Sequence, residues 1–169
     1  MNIIVAVDRE WAIGKNGELL CHLPSDLKYF KEKTTGKTMI VGRKTVEGFP
    51  GARPLPNRKN LILTRDEEVR KKVFEGREYQ FFDSTEEVIK YLENNEIDEN
   101  DIFVAGGAEI YKQFLPFCEK AYITKIDKSF EGDAFIPNFD EIKGWTMATQ
   151  SDTVCENGIN YTFCIYERK

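Results

Sequence analysis

The chain of 169 residues contains one histidine, His22, and four cysteines with no CxxC spacing among them. A structural or catalytic zinc needs clustered His and Cys ligands, so this scarcity argues against one and no metal is expected. Cys21, Cys118, Cys155 and Cys164 read as free thiols of a reducing cytosol, although Cys155 and Cys164 stand where they could meet across a late hairpin. Long apolar runs are also missing. The opening residues Met1 to Asp8 carry no basic segment, and Ile3-Ile4-Val5-Ala6-Val7 is too short for a signal core or a membrane span. That run reads as a buried strand, and the chain as a cytoplasmic protein without membrane contact. Positive charge is in deficit, with 24 Lys and Arg against 29 Asp and Glu and a net charge of −5. The balance argues against a broad nucleic-acid surface while leaving room for a local phosphate pocket. Internal repeats, low-complexity tracts and linkers are absent.

The length suits one domain with a real core, and 41% hydrophobic with 31% charged residues is ordinary for a folded chain. Apolar runs bounded by turn residues predict strands at Asn2–Val7, Thr38–Val41, Asn60–Thr64, Tyr79–Phe82, Asp101–Val104 and Lys120–Ile126. Pro24 opens a helix that runs to about Thr35, and Ser84-Thr85-Glu86-Glu87 forms a capping box ahead of a second. Ala108–Leu115 reads as another helix, stopped by Pro116, and Asn94–Asn100 as a polar surface loop. Alternation of this kind predicts an α/β fold: a single domain, residues 1–169, with a central, mostly parallel twisted sheet and helices on both faces. The end of the chain differs. Trp145–Cys155 and Ile159–Glu167 flank Glu156-Asn157-Gly158, which predicts an antiparallel C-terminal hairpin.

Five segments carry chemical potential. Ala12-Ile13-Gly14-Lys15-Asn16-Gly17-Glu18-Leu19-Leu20 follows a buried strand and reads as a mobile loop, either a lid or a plain surface connection. In Leu23-Pro24-Ser25-Asp26-Leu27-Lys28-Tyr29-Phe30, helical spacing puts Asp26, Leu27 and Phe30 on one face. A carboxylate among apolar neighbours has a raised pKa and seeks a ligand that donates hydrogen bonds, such as a 2-amino-4-oxo-pyrimidine edge. Alternatively, Asp26 simply favours the helix N-terminus. Met39-Ile40-Val41-Gly42-Arg43-Lys44-Thr45 runs from a strand into two cations and a hydroxyl, a phosphate-compatible helix start without P-loop spacing. Arg53-Pro54-Leu55-Pro56-Asn57-Arg58 stiffens Arg58, whose guanidinium suits a carboxylate, while Arg65 past the next strand is placed to join Arg43 at a phosphate. Finally, Ala105-Gly106-Gly107-Ala108 lets the backbone approach a pyrophosphate closely.

In this order and at these separations the segments resemble the dihydrofolate reductase family over essentially the whole chain: the Ile-Gly loop, Leu-Pro-x-Asp-Leu, Gly-Arg-x-Thr, Arg-Pro-Leu-Pro-x-Arg, Gly-Gly-x-x-Ile-Tyr and Thr124-x-Ile126-Asp127. The resemblance implies NADPH-dependent reduction of dihydrofolate to tetrahydrofolate, dihydrofolate and antifolate inhibitors as ligands, no nucleic-acid partner and a monomer. It makes Asp26 the pterin-binding carboxylate, with Thr124 and a water in its network and Leu19 in the covering loop beside the reaction. Val5, Ala6, Leu27, Phe30 and Leu55 become apolar walls. Arg58 grips the glutamate tail, the Ala105 backbone touches the pterin and Tyr111 lies near the nicotinamide. On the cofactor side it implies Ala6, Ile13, Gly14 and Leu19 at the nicotinamide. Gly42, Arg43, Lys44 and Thr45 with Gly106, Gly107, Ala108, Glu109 and Ile110 hold the pyrophosphate. Leu63, Thr64 and Arg65, together with Arg43, hold the adenosine 2′-phosphate. A cis peptide joins Gly106 to Gly107 in this family.

Two departures stand out. Leu20-Cys21 replaces the Pro-Trp of many relatives, and Phe49-Pro50-Gly51-Ala52 lengthens a loop beside the substrate's benzoyl group. Cys21 reads as a filler of apolar space rather than a redox group. Three other readings compete: a same-fold reductase acting on a ribosylated pyrimidine, a non-catalytic NADPH- or folate-binding protein, and a flavodoxin-like electron carrier. The first has no use for Arg58 as a glutamate grip, and the last would carry flavin.

Overall fold

A computed structural model describes all residues, 1–169. Strands and helices alternate from α1 to β7, and five strands in a row close the chain: β1 (Asn2–Val7), β2 (Ala12–Gly14), α1 (Pro24–Thr34), β3 (Thr38–Gly42), α2 (Arg43–Glu47), β4 (Lys59–Leu63), α3 (Glu67–Arg70), β5 (Glu78–Phe82), α4 (Thr85–Asn94), β6 (Ile102–Val104), α5 (Ala108–Phe114), β7 (Lys120–Ile126), β8 (Ala134–Phe135), β9 (Trp145–Gln150), β10 (Val154–Glu156) and β11 (Ile159–Arg168). The main sheet has the order β10-β11-β7-β1-β6-β3-β4-β5, with β9 also on β11. From β7 to β5 every pairing is parallel, and β11 closes onto β7 antiparallel. Insertion of β6 between β1 and β3 opens a crevice at the carboxyl ends of these strands, where α/β sheets bind ligands.

Side-chain alternation along the parallel strands sorts the core onto two faces. Ile3, Val7, Ile40, Leu61, Leu63 and Val104 pack with Val88 and Leu92 of α4 and with Ile110, Tyr111 and Phe114 of α5. Met39, Val41 and Ile62 point the other way, toward Val46 of α2 and Phe30 of α1. Helices therefore cover both faces, and the α/β architecture read from the sequence is present.

Several boundaries shift. The first helix stops at Thr34, with Thr35 already extended, and the fifth ends at Phe114 before a single 3-10 turn, Leu115–Phe117, that contains Pro116. Asp101 belongs to a 3-10 turn, Glu99–Asp101, that precedes β6 and occupies the end of the polar loop. The stretch Trp145–Cys155 is two strands rather than one. Ser151 Oγ accepts the Phe163 N–H at 2.9 Å, so a side chain replaces a ladder carbonyl; β9 then pairs with the far half of β11 and β10 with the near half. The hairpin turn is the Asn157-Gly158 pair with φ of 52° and 74°, both left-handed, as a two-residue type I′ turn requires. Cys155 sits opposite Asn160, and Cys164 opposite Ile123 and Gln150, so the two do not meet; all four thiols are free.

The Ala12–Leu20 segment is no open loop. Residues Ala12–Gly14 pair with β8, and a Lys15–Glu18 bridge closes its tip. Buried Asp8 anchors its base, accepting the N–H groups of Glu10 (2.9 Å), Ala12 (3.0 Å) and Phe130 (3.0 Å). The peptide between Gly106 and Gly107 is cis. No helix is long and apolar enough to cross a membrane.

Candidate functional site

Pro24 sets the backbone of the first turn of α1, and Leu23 at the N-cap is buried and offers no capping oxygen. Two residues on, half-buried Asp26 turns toward β7, where the Thr124 hydroxyl donates to its Oδ1 at 2.6 Å. Thr124 is itself buried and stands beside Ala6 in the β1–β7 register. Burial raises the Asp26 pKa, the Thr124 hydrogen bond opposes the rise, and the nearby charge of Glu156 adds to it. The same enclosure pushes the Tyr29 phenol up to about 12 and, with help from Asp26, raises the Cys21 thiol. Cys21 packs with Ala6 and Phe130 against Leu23, Ile126 and Tyr161, as a space-filler would.

Beyond Asp26 the apolar wall assembles. Phe30, Leu55 and Ala105 pack around the Met39, Val41, Val46 and Ile62 cluster, joined by Phe49 from the lengthened loop. Leu27 stands outside it and is 41% exposed. At the far end of α1, buried Arg58 donates from Nε to the Pro56 carbonyl at 2.8 Å and from Nη1 to Thr34 Oγ1 at 3.3 Å. Those bonds fix the guanidinium plane without neutralising it, and burial lowers its pKa. A guanidinium held by neutral partners keeps its charge for an incoming carboxylate.

The ends of β3 and β6 touch: the Gly42 N–H donates to the Gly106 carbonyl at 2.8 Å, and the Ala105 N–H to Ile40 at 2.9 Å. Side chains are excluded there. A Cβ at Gly42 would stand 3.1 Å from Ile110 Cγ1, and one at Gly106, where φ is +124°, 3.3 Å from Thr45 Oγ1. Both α2 and α5 begin at this point without a side-chain cap, so their leading N–H groups remain open to an anion. Tyr111 crosses beneath, its buried hydroxyl donating to the Ile4 carbonyl at 2.7 Å. A cleft of about 640 Å³ continues past the ends of β4 and β5, lined by Leu63, Thr64, Arg65, Ser84, Gln113 and Ile110, among others. A backbone cradle leading into a polar cleft with one cation fits a nucleotide with more than one phosphate.

Not every predicted partner meets. Arg43 pairs with Glu47 at 2.9 Å and does not line that cleft, whereas Arg65 does and donates to the Asp83 carbonyl, so the two arginines are not joined. Lys44 and Glu109 are exposed, and neither makes a side-chain bond. Ile13 packs against the core, while Leu19 is 70% exposed and borders a smaller cavity with Leu20 and Phe130. Sequence reasoning missed Ser84, Thr85 and Gln113 as cleft residues. The sequence marks Ser84 only as a helix cap, and the Thr85–Gln113 bond of 2.8 Å joins residues 28 apart.

Residues 1–168 match the family model described as dihydrofolate reductase. Dihydrofolate reductases of Staphylococcus haemolyticus and Bacillus subtilis are each 38% identical, covering 99% and 100% of this chain and 95% of each relative. A solved structure of dihydrofolate reductase from Enterococcus faecalis, complexed with NADP(H) and RAB-propyl, is similar with a TM-score of 0.79 and 35% identity, covering 99% of this chain and 95% of that one.

Proposed function

The chain belongs to the dihydrofolate reductase family, and we propose that this cleft reduces 7,8-dihydrofolate to 5,6,7,8-tetrahydrofolate with NADPH, using Asp26 to hold the pterin. The observation that carries the assignment is the Asp26–Thr124 pair, a half-buried carboxylate fixed by one hydroxyl at the seam of α1 and β7. Its remaining lone pairs suit the two parallel N–H donors of a 2-amino-4-oxo-pyrimidine edge.

NADPH when bound supplies the hydride that the pterin C=N bond takes up. The Gly42 and Gly106-Gly107 backbone, with Thr45, would hold its pyrophosphate, and Thr64 with Arg65 its 2′-phosphate; Arg43 and Lys44 contribute positive charge at the edge. Ala6, Ile13, Gly14 and Leu19 would border the nicotinamide, and Leu19 with its neighbours shields the site from bulk water. Phe30, Leu55, Val5 and Leu27 would line the pterin and benzoyl path, and Arg58 would clamp the glutamate α-carboxylate. Asp26 orients and polarises the pterin from the edge opposite the ring nitrogen, which takes its proton from water. The same pocket would accept antifolate inhibitors. The four free thiols suit a reducing compartment such as the cytoplasm, where the protein would work as one domain and one subunit.

Mixing protein, NADPH and dihydrofolate should remove reduced-nicotinamide absorbance quickly, and slowly with NADH in its place. Asp26→Asn should lower the rate on the order of 100-fold, because an amide cannot accept both N–H donors. A variant that turns over like the parent would sink the role of Asp26, and ligand binding without turnover would sink the enzyme reading.

A further inference from the structure

Resting on Asp26 as the carboxylate that meets the pterin, we propose that Glu156 is its positioning residue, reaching from the C-terminal hairpin to hold the first turn of α1 against the sheet. The helix cannot cap itself: Leu23 has no capping oxygen and Pro24 has no N–H. Ser25 therefore presents the first free donor, and Glu156 takes it with both oxygens, Oε1 at 3.1 Å and Oε2 at 3.3 Å. The Ser25 hydroxyl donates to Oε2 at 2.7 Å and the Tyr161 hydroxyl to Oε1 at 3.1 Å. One carboxylate thus receives from α1 and from β11 together, across 131 positions of sequence.

The next residue along the helix is Asp26, tied by Thr124 to β7, and Tyr161 and Phe163 of β11 pair directly with Ile126 and Thr124. Two consecutive helix residues are therefore fixed to β10 and β7, the strands on either side of β11. Without Glu156 the polar tie between the first turn of α1 and the sheet would be the Asp26–Thr124 bond, the bond whose geometry the pterin needs, beside the packing of Leu23 on Ile126 and Tyr161. Glu156 also places a negative charge near Asp26 and contributes to its raised pKa, after burial and against the Thr124 hydrogen bond. The other titratable neighbours are Cys21, Tyr29 and Tyr161, with His22 beside Glu156. The bonds from Ser25 lower the Glu156 pKa, the direction opposite to the rise at Asp26.

The test uses Glu156→Gln, which keeps an acceptor oxygen and the shape, and Glu156→Ala, which keeps neither. Two quantities are read: the carbon-13 titration of the Asp26 carboxyl in ligand-free protein, and dihydrofolate KM against kcat. In Glu156→Gln the Asp26 midpoint should move to lower pH, because a like charge has gone. KM should rise about 3-fold in Glu156→Gln and about 10-fold in Glu156→Ala, with kcat moving less than KM, as loss of aim in the bound ground state predicts. Parental midpoint and KM in both variants, with or without a lower Tm, would overturn the assignment. The titration needs no ligand, so if Asp26 did not bind pterin that failure would appear separately, as an unaltered KM in Asp26→Asn with the Glu156-dependent shift intact.

Discussion

At Asp26 the enclosure that suits a ligand works against the charge, and this has a consequence for stability. Burial raises the folded-state pKa above the ordinary carboxylate value, so the folded chain binds this proton more tightly than the unfolded chain. Stability then falls as pH rises through the window between the unfolded and folded values, and the full penalty is present at neutral pH. Asp26→Asn removes it: the variant should match or exceed the parent Tm at pH 7, and its advantage should vanish below the ordinary carboxylate range. A variant less stable than the parent at pH 7 would contradict that sign. Arg58 presents the opposite case, a buried cation whose neighbours, Pro56 and Thr34, are neutral acceptors. Arg58→Lys loses the two-pronged grip, so dihydrofolate KM should rise about 10- to 100-fold with kcat little changed. A pterin lacking the glutamate tail should show no such difference, and equal losses for both substrates would remove Arg58 from the tail site.

Elements differ in how much of themselves they write into local sequence. The parallel strands were legible because burial on both faces makes them continuous apolar runs, as in Met39-Ile40-Val41 and Ile102-Phe103-Val104. The helix start at Ser84 was legible too: Ser84 accepts the Glu87 N–H at 3.2 Å, although Glu87 reaches back one residue further than a capping box, to the Asp83 N–H at 2.8 Å. Short pieces were not. The β2 and β8 strands, of three and two residues, are too brief for any period, and they exist because Asp8 and the chain reversal bring them together. Nor does any local pattern announce that Asp26 meets Thr124 or that Ser25 meets Glu156, since those partners lie 98 and 131 positions apart. The candidate site became readable only through the order and spacing of several weak segments taken jointly. At the β2–β8 contact, Gly132 is packed so closely that a Cβ would fall 2.7 Å from Ala12 Cβ and 2.7 Å from the Gly14 carbonyl. Gly132→Ala should destabilise the fold by about 1–3 kcal/mol and displace the segment that carries Ile13, Gly14 and Leu19. NADPH KM should rise more than dihydrofolate KM; parental Tm and parental KM for both would show that the contact relaxes freely.

For the whole molecule, the exposed large apolar side chains tell where association could occur. They are Leu19, Leu27, Val73, Phe117 and Phe135. Leu19 and Leu27 belong to the proposed nicotinamide and pterin borders, and Phe117 lines the 640 Å³ cleft, so ligands account for three of the five. The remaining two are Val73, in the loop between α3 and β5, and Phe135 of β8, whereas a stable subunit interface needs a contiguous apolar patch. The sheet has three edge strands: β10 has only three residues, β9 exposes most of its six, and β5 alternates exposed polar with half-buried aromatic residues. The protein should therefore sediment at its chain mass of 19.6 kDa and unfold in one transition whose midpoint ignores protein concentration. Ligands should move that midpoint instead. At about 100 times its Kd, NADPH adds about 2.7 kcal/mol, which for a domain of this size is about 5–10 °C in Tm. An antifolate added to the binary complex should raise it again, because the pterin border and the phosphate cradle are lined by different side chains. A midpoint that climbed with protein concentration, or two transitions of which NADPH moved only one, would replace the single subunit and single domain with an assembly or a divided chain.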